Sequence, residues 1–162
     1  MANIDRPSES DQTRIDYWGE LVRYMKRRAS LITFNEPSSK HPHQLRAIAD
    51  TFGSGKFILV ALANMRPLRI GVGVEISGPK EYYVALEKYN SKIQSEIGCE
   101  RGNKQKFEWK PETKVRDIWL YWDADFSERQ QWPEQHEWLG EKLEAFQRVL
   151  KPRISELLCA SF

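Results

Sequence analysis

Apolar residues recur along this chain at two periods, and the switches between them outline its elements. From Trp132 onward Leu139, Leu143, Phe146, Leu150, Ile154 and Leu157 step by three or four, widened by Trp138, Ala145 and Val149, which is one stripe on a long helix. Pro133 suits that helix's first turn, Glu134 and Glu137 place acids near its positive end, and Pro152 is expected to kink or loosen its last turns. An opening helix is predicted from near Ser10 or Asp11 to about Arg28, with Ile15, Trp18, Val22 and Met25 as its buried line and Leu21 beside it. Between Leu68 and Ile76 the period becomes two. Leu68, Ile70, Val72, Val74 and Ile76 share one face of a strand, and Arg69, Gly71, Gly73 and Glu75 share the other.

The remaining segments fill in around these. Residues 31–43, with two prolines and two histidines, read as a loop; 45–52 as a short strand; 53–55 as a turn; and the run from Lys56, apolar on both faces, as a central strand. The corner at Met65, Arg66 and Pro67 reverses the chain. A second helix is predicted from Pro79, with Tyr82, Leu86, Tyr89, Ile93 and Ile97 buried and Gly98 as terminator. Residues 105–110 and 115–122 form a hairpin with Phe107, Trp109, Ile118, Leu120 and Trp122 inward and Trp119 and Tyr121 on the opposite face. The order α-β-β-β-α-β-β-α implies an α+β domain: a mainly antiparallel five-stranded sheet with helices packed largely on one face. Residues 1–9 read as a flexible lead and 10–162 as a single domain.

Composition narrows the class. At 162 residues and 40% hydrophobic content the chain can bury a core of its own. No apolar run approaches the roughly 20 residues needed to span a bilayer. The N-terminus carries neither an apolar signal core nor a basic flank, so a cytoplasmic protein without a membrane partner is expected. Cys99 and Cys159 are expected as reduced thiols. The net charge of +2 hides an asymmetry: residues 21–69 hold nine Lys and Arg against Glu36 and Asp50, a balance of +7, and the rest of the chain is −5. Such a segment marks a nucleic-acid contact, or in part only the cations that complement the end of the first helix.

Four stretches resemble a bacterial family known as domain of unknown function 4268. They are Tyr17–Trp18 in the opening helix, the turn Gly53–Phe57, the strand Arg69–Ile76, and the closing QWPEQHEWL from Gln131 to Leu139, where Gln131 stands at a position often acidic. The resemblance implies a domain frequently joined to the C-terminal side of restriction-type nuclease regions, with no activity assigned to itself. On that basis this chain is expected to be a free-standing copy.

The GSGK of Gly53–Lys56 lacks the spacing of a phosphate-binding loop, because Asp50 stands where its first glycine belongs and Phe57 where a hydroxyl is needed. A restriction-type nuclease would recruit Asp50, Glu75, Glu108 and Lys110, but the acid-x-Lys triplet of Glu108–Lys110 falls after the second helix rather than on the expected strand. His41, His43 and His136, the last expected on the polar side of its helix, match no metal-ligand spacing. No catalytic residue, metal or cofactor is expected.

The favoured reading is a non-catalytic recognition module that contacts DNA or RNA through a basic face of Arg46, Lys56, Arg66 and Arg69, with Trp119 and Tyr121. Three readings of those two rings compete: they stack on unpaired bases, they form a homodimer or partner interface, or the first helix covers them. The alternative function is a protein-interaction or dimerisation module docking on a nuclease partner, and the least favoured is a minimal metal-dependent nuclease.

Overall fold

A computed structural model describes residues 8–37, 40–99, 104–111 and 115–160, apart from the side chains of 49 and 50. The elements run α1 (Glu9–Arg27), β1 (Gln44–Arg46), β2 (Phe57–Met65), β3 (Leu68–Ile76), α2 (Lys80–Glu87), α3 (Asn90–Ile97), β4 (Gln105–Lys110), β5 (Arg116–Trp122) and α4 (Trp132–Cys159). The strands form one antiparallel sheet in the order β1-β2-β3-β5-β4, so β5 returns beside β3 and leaves β4 at the edge. This is an α+β fold. Among the described residues no helix is long and apolar enough to cross a membrane.

The two-residue period of β3 sorts the whole sheet. Ile70, Val72, Val74 and Ile76 join Leu59, Ala61 and Ala63 of β2 and Ile118, Leu120 and Trp122 of β5 in one core with the helices. The α4 stripe lies in this core as its spacing required, from Leu139 through Ile154, and α4 continues through Pro152 without interruption. Its first turn is anchored by side chains: Trp132 Nε1 donates to the Phe126 carbonyl at 2.6 Å, and Gln135 accepts from the Tyr17 hydroxyl at 2.9 Å while donating to the Asp125 carbonyl at 3.0 Å.

Four expectations change. On α1 the buried residues are Tyr17, Trp18, Leu21 and Met25, because the Tyr17 hydroxyl finds Gln135 and the ring packs against Trp18, Trp132 and His136; Ile15 and Val22 are only partly covered. The first strand shrinks to three residues, and Ala49–Phe52 instead form a 3₁₀ turn that buries Phe52. The second helix is two. At Tyr89 the backbone leaves helical values (φ −108°, ψ 22°) before the weak helix former Asn90. Tyr89 therefore points outward, 55% exposed, with Arg153 over its ring, while Ile93 and Ile97 stay buried. Gly98, at φ 84°, ends α3 as expected. Finally, His136 is buried rather than on a polar face, 4% exposed and 4.5 Å from the Tyr17 ring.

The two thiols are free and exposed. Cys99 follows α3, whose terminal carbonyls Lys142 reaches, and Cys159 lies 17 positions further along α4. At about 1.5 Å per residue these sites are roughly 25 Å apart, far beyond disulfide reach.

Candidate nucleic-acid interface

Among the described residues, the second face of the sheet carries no helix residue in its apolar cluster, which consists of Val60, Leu62, Trp119 and Tyr121 with Ile58 packed against it. Strand register builds this face row by row. One row runs Arg46, Val60, Gly73, Trp119, Glu108; the next runs Gln44, Leu62, Gly71, Tyr121, Lys106; a third runs Ile58, Glu75, Asp117, Lys110.

The glycines of β3 explain how the aromatic rings lie. Trp119 and Tyr121 alternate with inward residues on β5, and their rings are nearly parallel, 5.6 Å apart and 7° between planes. A Cβ at Gly73 would meet Trp119 ring atoms at 2.4 Å, and one at Gly71 would meet Tyr121 Cδ1 at 2.8 Å. Both rings thus rest flat on bare backbone. They are only 4% and 5% exposed, so in this conformation they are not platforms on which bases stack. Of the three readings of these rings, cover by the first helix finds no α1 residue in their cluster among the described residues; the absence of side chains beneath lets the rings sink, and long polar side chains flank them.

Those flanking side chains carry the electrostatics. The Arg69 guanidinium lies 3.5 Å from the centre of the Tyr121 ring, an arrangement that pairs cation with ring face. Lys110 Nζ donates to the Tyr121 hydroxyl at 3.2 Å. Glu108 receives three cations: Lys110 at 3.4 Å, Lys106 at 3.6 Å and Arg69 at 3.9 Å. Arg46 holds both oxygens of Glu75 at 2.9 Å. Burial works to lower the Lys110 pKa, but the bond to Tyr121 and the Glu108 charge prevail and hold it above the ordinary value; burial raises that of Tyr121 against the pull of Lys110 and Arg69. Arg69 Nε is buried without a hydrogen-bond partner.

Four of the six proposed contact residues, Arg46, Arg69, Trp119 and Tyr121, therefore share this face. The other two do not join them. Lys56 and Arg66 flank opposite ends of the nine-residue β2, roughly 30 Å apart at about 3.3 Å per residue. Lys56 leans toward the helix side, 5.8 Å from the Tyr82 ring, and Arg66 is exposed at the hairpin tip. The basic 21–69 segment is thus divided between the end of α1 and the sheet. Of the nuclease candidates, Glu75, Glu108 and Lys110 lie on this face with both acids engaged by cations; the Asp50 side chain lies outside the described residues. Among the described residues no three His, Cys, Asp or Glu side chains gather as metal ligands.

Lys106 and Asp117 were missed in the sequence. Two-residue alternation from Glu108 and from Trp119 places them on this face, so the signal was available once the hairpin was aligned.

The family profile described as Domain of unknown function (DUF4268) matches residues 13–154. The chain belongs to the DUF4268 family. Comparison with curated proteins and with solved structures returns no match. The matched DUF4268 region spans every strand and reaches the closing helix, so it includes both the helix-bearing core and the helix-free sheet face.

Proposed function

We propose that this DUF4268 domain is a non-catalytic recognition module that holds a nucleic-acid backbone against the helix-free face of its sheet. The observation that carries this reading is the ring of Arg69, Lys106 and Lys110 around the single carboxylate of Glu108. With Arg46, Arg69, Lys106 and Lys110 set against Glu75, Glu108 and Asp117, the face keeps a positive excess of one, and a phosphate competes with Glu108 for its three cations. With Trp119 and Tyr121 covered, contact is made with phosphate rather than with base faces, and it is indifferent to sequence. Three phosphate contacts give a log–log salt slope of about −2 to −3. Fluorescence anisotropy with labelled single- and double-stranded oligonucleotides, titrated over salt, measures it. Arg69→Gln should reduce the slope by about one and weaken binding alike for all sequences. No binding at micromolar protein in low salt sinks this reading.

A second reading, docking on a protein partner or a second copy, is favoured by the interleaving of Arg46–Glu75 with the Glu108 cluster, a mixed charge pattern that suits a complementary protein surface. Light scattering across a concentration series tests the homodimer: a mass that stays monomeric removes it. The nuclease reading is tested by Glu75→Ala with magnesium or manganese, where activity that is equal in both proteins or absent from both eliminates it.

A further inference from the structure

The sheet ends on two edges, and only one of them is covered. On β1 the outward groups are taken up: Asn35 N–H donates to the Arg46 carbonyl at 2.9 Å, Gln44 N–H donates to the His41 carbonyl at 3.2 Å, and Phe34 bridges Ala47. The β4 edge differs. Asp123 N–H donates to the Lys104 carbonyl at 3.0 Å, which fixes the pattern along the hairpin, because hydrogen-bonded and non-hydrogen-bonded pairs alternate in an antiparallel ladder. Lys106 and Glu108 therefore turn their backbone groups toward Tyr121 and Trp119 of β5, and Gln105, Phe107 and Trp109 turn theirs outward. Among the described residues no backbone group pairs with these outward ones.

Free edges are ordinarily blunted by proline, by a bulge or by unpaired charge. β4 has none of these. Its register against β5 runs unbroken from Gln105 to Lys110, and Glu108 engages both Lys106 at 3.6 Å and Lys110 at 3.4 Å. Phe107 and Trp109, whose backbone groups face outward, pack against the core but are only partly buried.

The order Lys106, Phe107, Glu108 is its own complement. Two copies of β4 related by a twofold axis through Phe107 run antiparallel, so that Phe107 faces Phe107, Lys106 faces Glu108 and Glu108 faces Lys106 of the second copy. The outward residues become the hydrogen-bonded pairs, Phe107 with Phe107 and Gln105 with Trp109 on either side, all within β4. Lys106 and Glu108 take the non-hydrogen-bonded positions between them, where opposed side chains approach most closely. Other alignments are poorer. An axis at Gln105, Lys106 or Glu108 sets like charges against each other in the middle of the pairing, and one at Trp109 sets Phe107 against Pro111, which has no N–H to donate. The favoured register leaves Lys104 opposite Lys110 at its ends, where Lys110 is drawn back by its bond to the Tyr121 hydroxyl at 3.2 Å.

We propose that β4 pairs with β4 of a second copy of this chain, antiparallel and centred on Phe107, joining two five-stranded sheets into one. Because the β1 edges are occupied, the assembly closes at two copies. The axis stands perpendicular to the sheet, so the two helix-free faces lie on the same side and form one surface. The pairing concerns the edge and rests on neither reading of that face. Each copy contributes one short strand, so the association is weak and shows at high concentration.

Sedimentation velocity without nucleic acid, from micromolar to millimolar protein, should show a reversible monomer–dimer equilibrium. Lys106→Glu sets acid against acid at both symmetric positions and should weaken the dimer at least about tenfold; the Lys106 side chain is 75% exposed, so folding is not at issue. Lys26→Glu makes the same charge change at an exposed position on α1, which reaches the sheet at the β2 end through the Arg14 bond to the Ala63 carbonyl, and should leave the equilibrium unaltered. Amide exchange followed by NMR identifies the strand. Protection of Phe107 and Trp109 should rise with protein concentration and be lost in Lys106→Glu, while Glu108, bonded to β5, stays protected throughout. A chain that stays monomeric at millimolar concentration, or a dimer that Lys106→Glu leaves intact, overturns the proposal. So does a dimer in which Phe107 and Trp109 exchange alike at every concentration, and that result would place the contact on the helix-free face instead. None of these outcomes bears on phosphate binding, which Arg69→Gln reports separately.

Discussion

Replacing Gly73 by alanine separates a general rule from the local geometry. In strands and helices alike, alanine is ordinarily better than glycine by about 0.5–1 kcal/mol, because the unfolded glycine chain has more freedom to lose. At Gly73 the new methyl would lie 2.4 Å from Trp119 Cδ2 and Cε3 and 2.7 Å from the Ile118 carbonyl oxygen. Carbon–carbon contacts are comfortable near 3.5–4.0 Å, so the indole must lift by roughly 1 Å or the strand must shift. Trp119 is 4% exposed and cannot lift without losing contact with its neighbours. Overpacking costs about 1–3 kcal/mol; contacts this short, one of them to a backbone oxygen, fall in the upper part of that range, and a net loss of about 1–2 kcal/mol remains after the gain. For a domain of this size the loss lowers Tm by about 3–6 °C. Urea unfolding followed by far-UV circular dichroism measures it, with Gly19→Ala as the contrasting substitution. In mid-α1 the nearest atom to an added Cβ is the mobile Arg23 Nη1 at 3.7 Å, so the same change there should stabilise by about 0.5–1 kcal/mol. A double-mutant cycle with Trp119→Ala locates the cause, since Gly73→Ala should become nearly neutral once the indole is gone. A neutral or stabilising Gly73→Ala in the natural background, or a cost unchanged without Trp119, refutes the reasoning.

Other consequences follow from buried polar groups. Desolvation lowers the His136 pKa from 6.5 to about 4, helped by the Arg27 charge and opposed by the Tyr17 backbone bond. The unfolded chain therefore binds a proton that the folded one refuses. The His136 contribution is fully present above about pH 6.5 and fades as pH falls toward 4, a loss of about 3 kcal/mol in all. Urea midpoints of the natural protein and His136→Gln should converge over that window, and parallel curves would contradict the burial argument. Lys142, 4% exposed, donates to the carbonyls of Ile97 and Gly98 at 3.3 and 3.0 Å and so satisfies the end of α3. Lys142→Met should cost about 1–3 kcal/mol and speed amide exchange in α3; unchanged exchange there would mean that other groups cap the helix.

What the sequence revealed and what it hid divide along physical lines. Regular alternation in Arg69–Ile76 and the three-and-four stepping of Leu139–Ile154 each reflect burial of one whole face, and both were read without the structure. The break at Tyr89 was hidden because Leu86, Ile93 and Ile97 keep helical spacing across it, so periodicity alone continues the helix. His136 and Lys142 were hidden because polar residues are placed on the surface by default. Their burial depends on partners distant in the chain, Tyr17 and the end of α3. The sheet face was legible in membership but not in exposure. Alternation puts Trp119, Tyr121 and Arg69 together, but only the fit of rings over Gly71 and Gly73 shows that they are covered rather than presented.

The same fit fixes where β5 pairs with β3. A slip of one residue would turn every side chain to the wrong face, but a slip of two would keep Ile118, Leu120 and Trp122 inward, and hydrophobic pattern alone would tolerate it. In the observed register Tyr121 meets Gly71 and Trp119 meets Gly73. Moved by two in one direction, Trp119 would fall on Glu75; in the other, Tyr121 would fall on Arg69. The bare stretch of β3 is two side-chain positions long and its neighbours are bulky, so it admits the aromatic pair in one alignment only. The two glycines act as a key for strand order, holding the β4–β5 hairpin in place at the end of a long excursion through two helices.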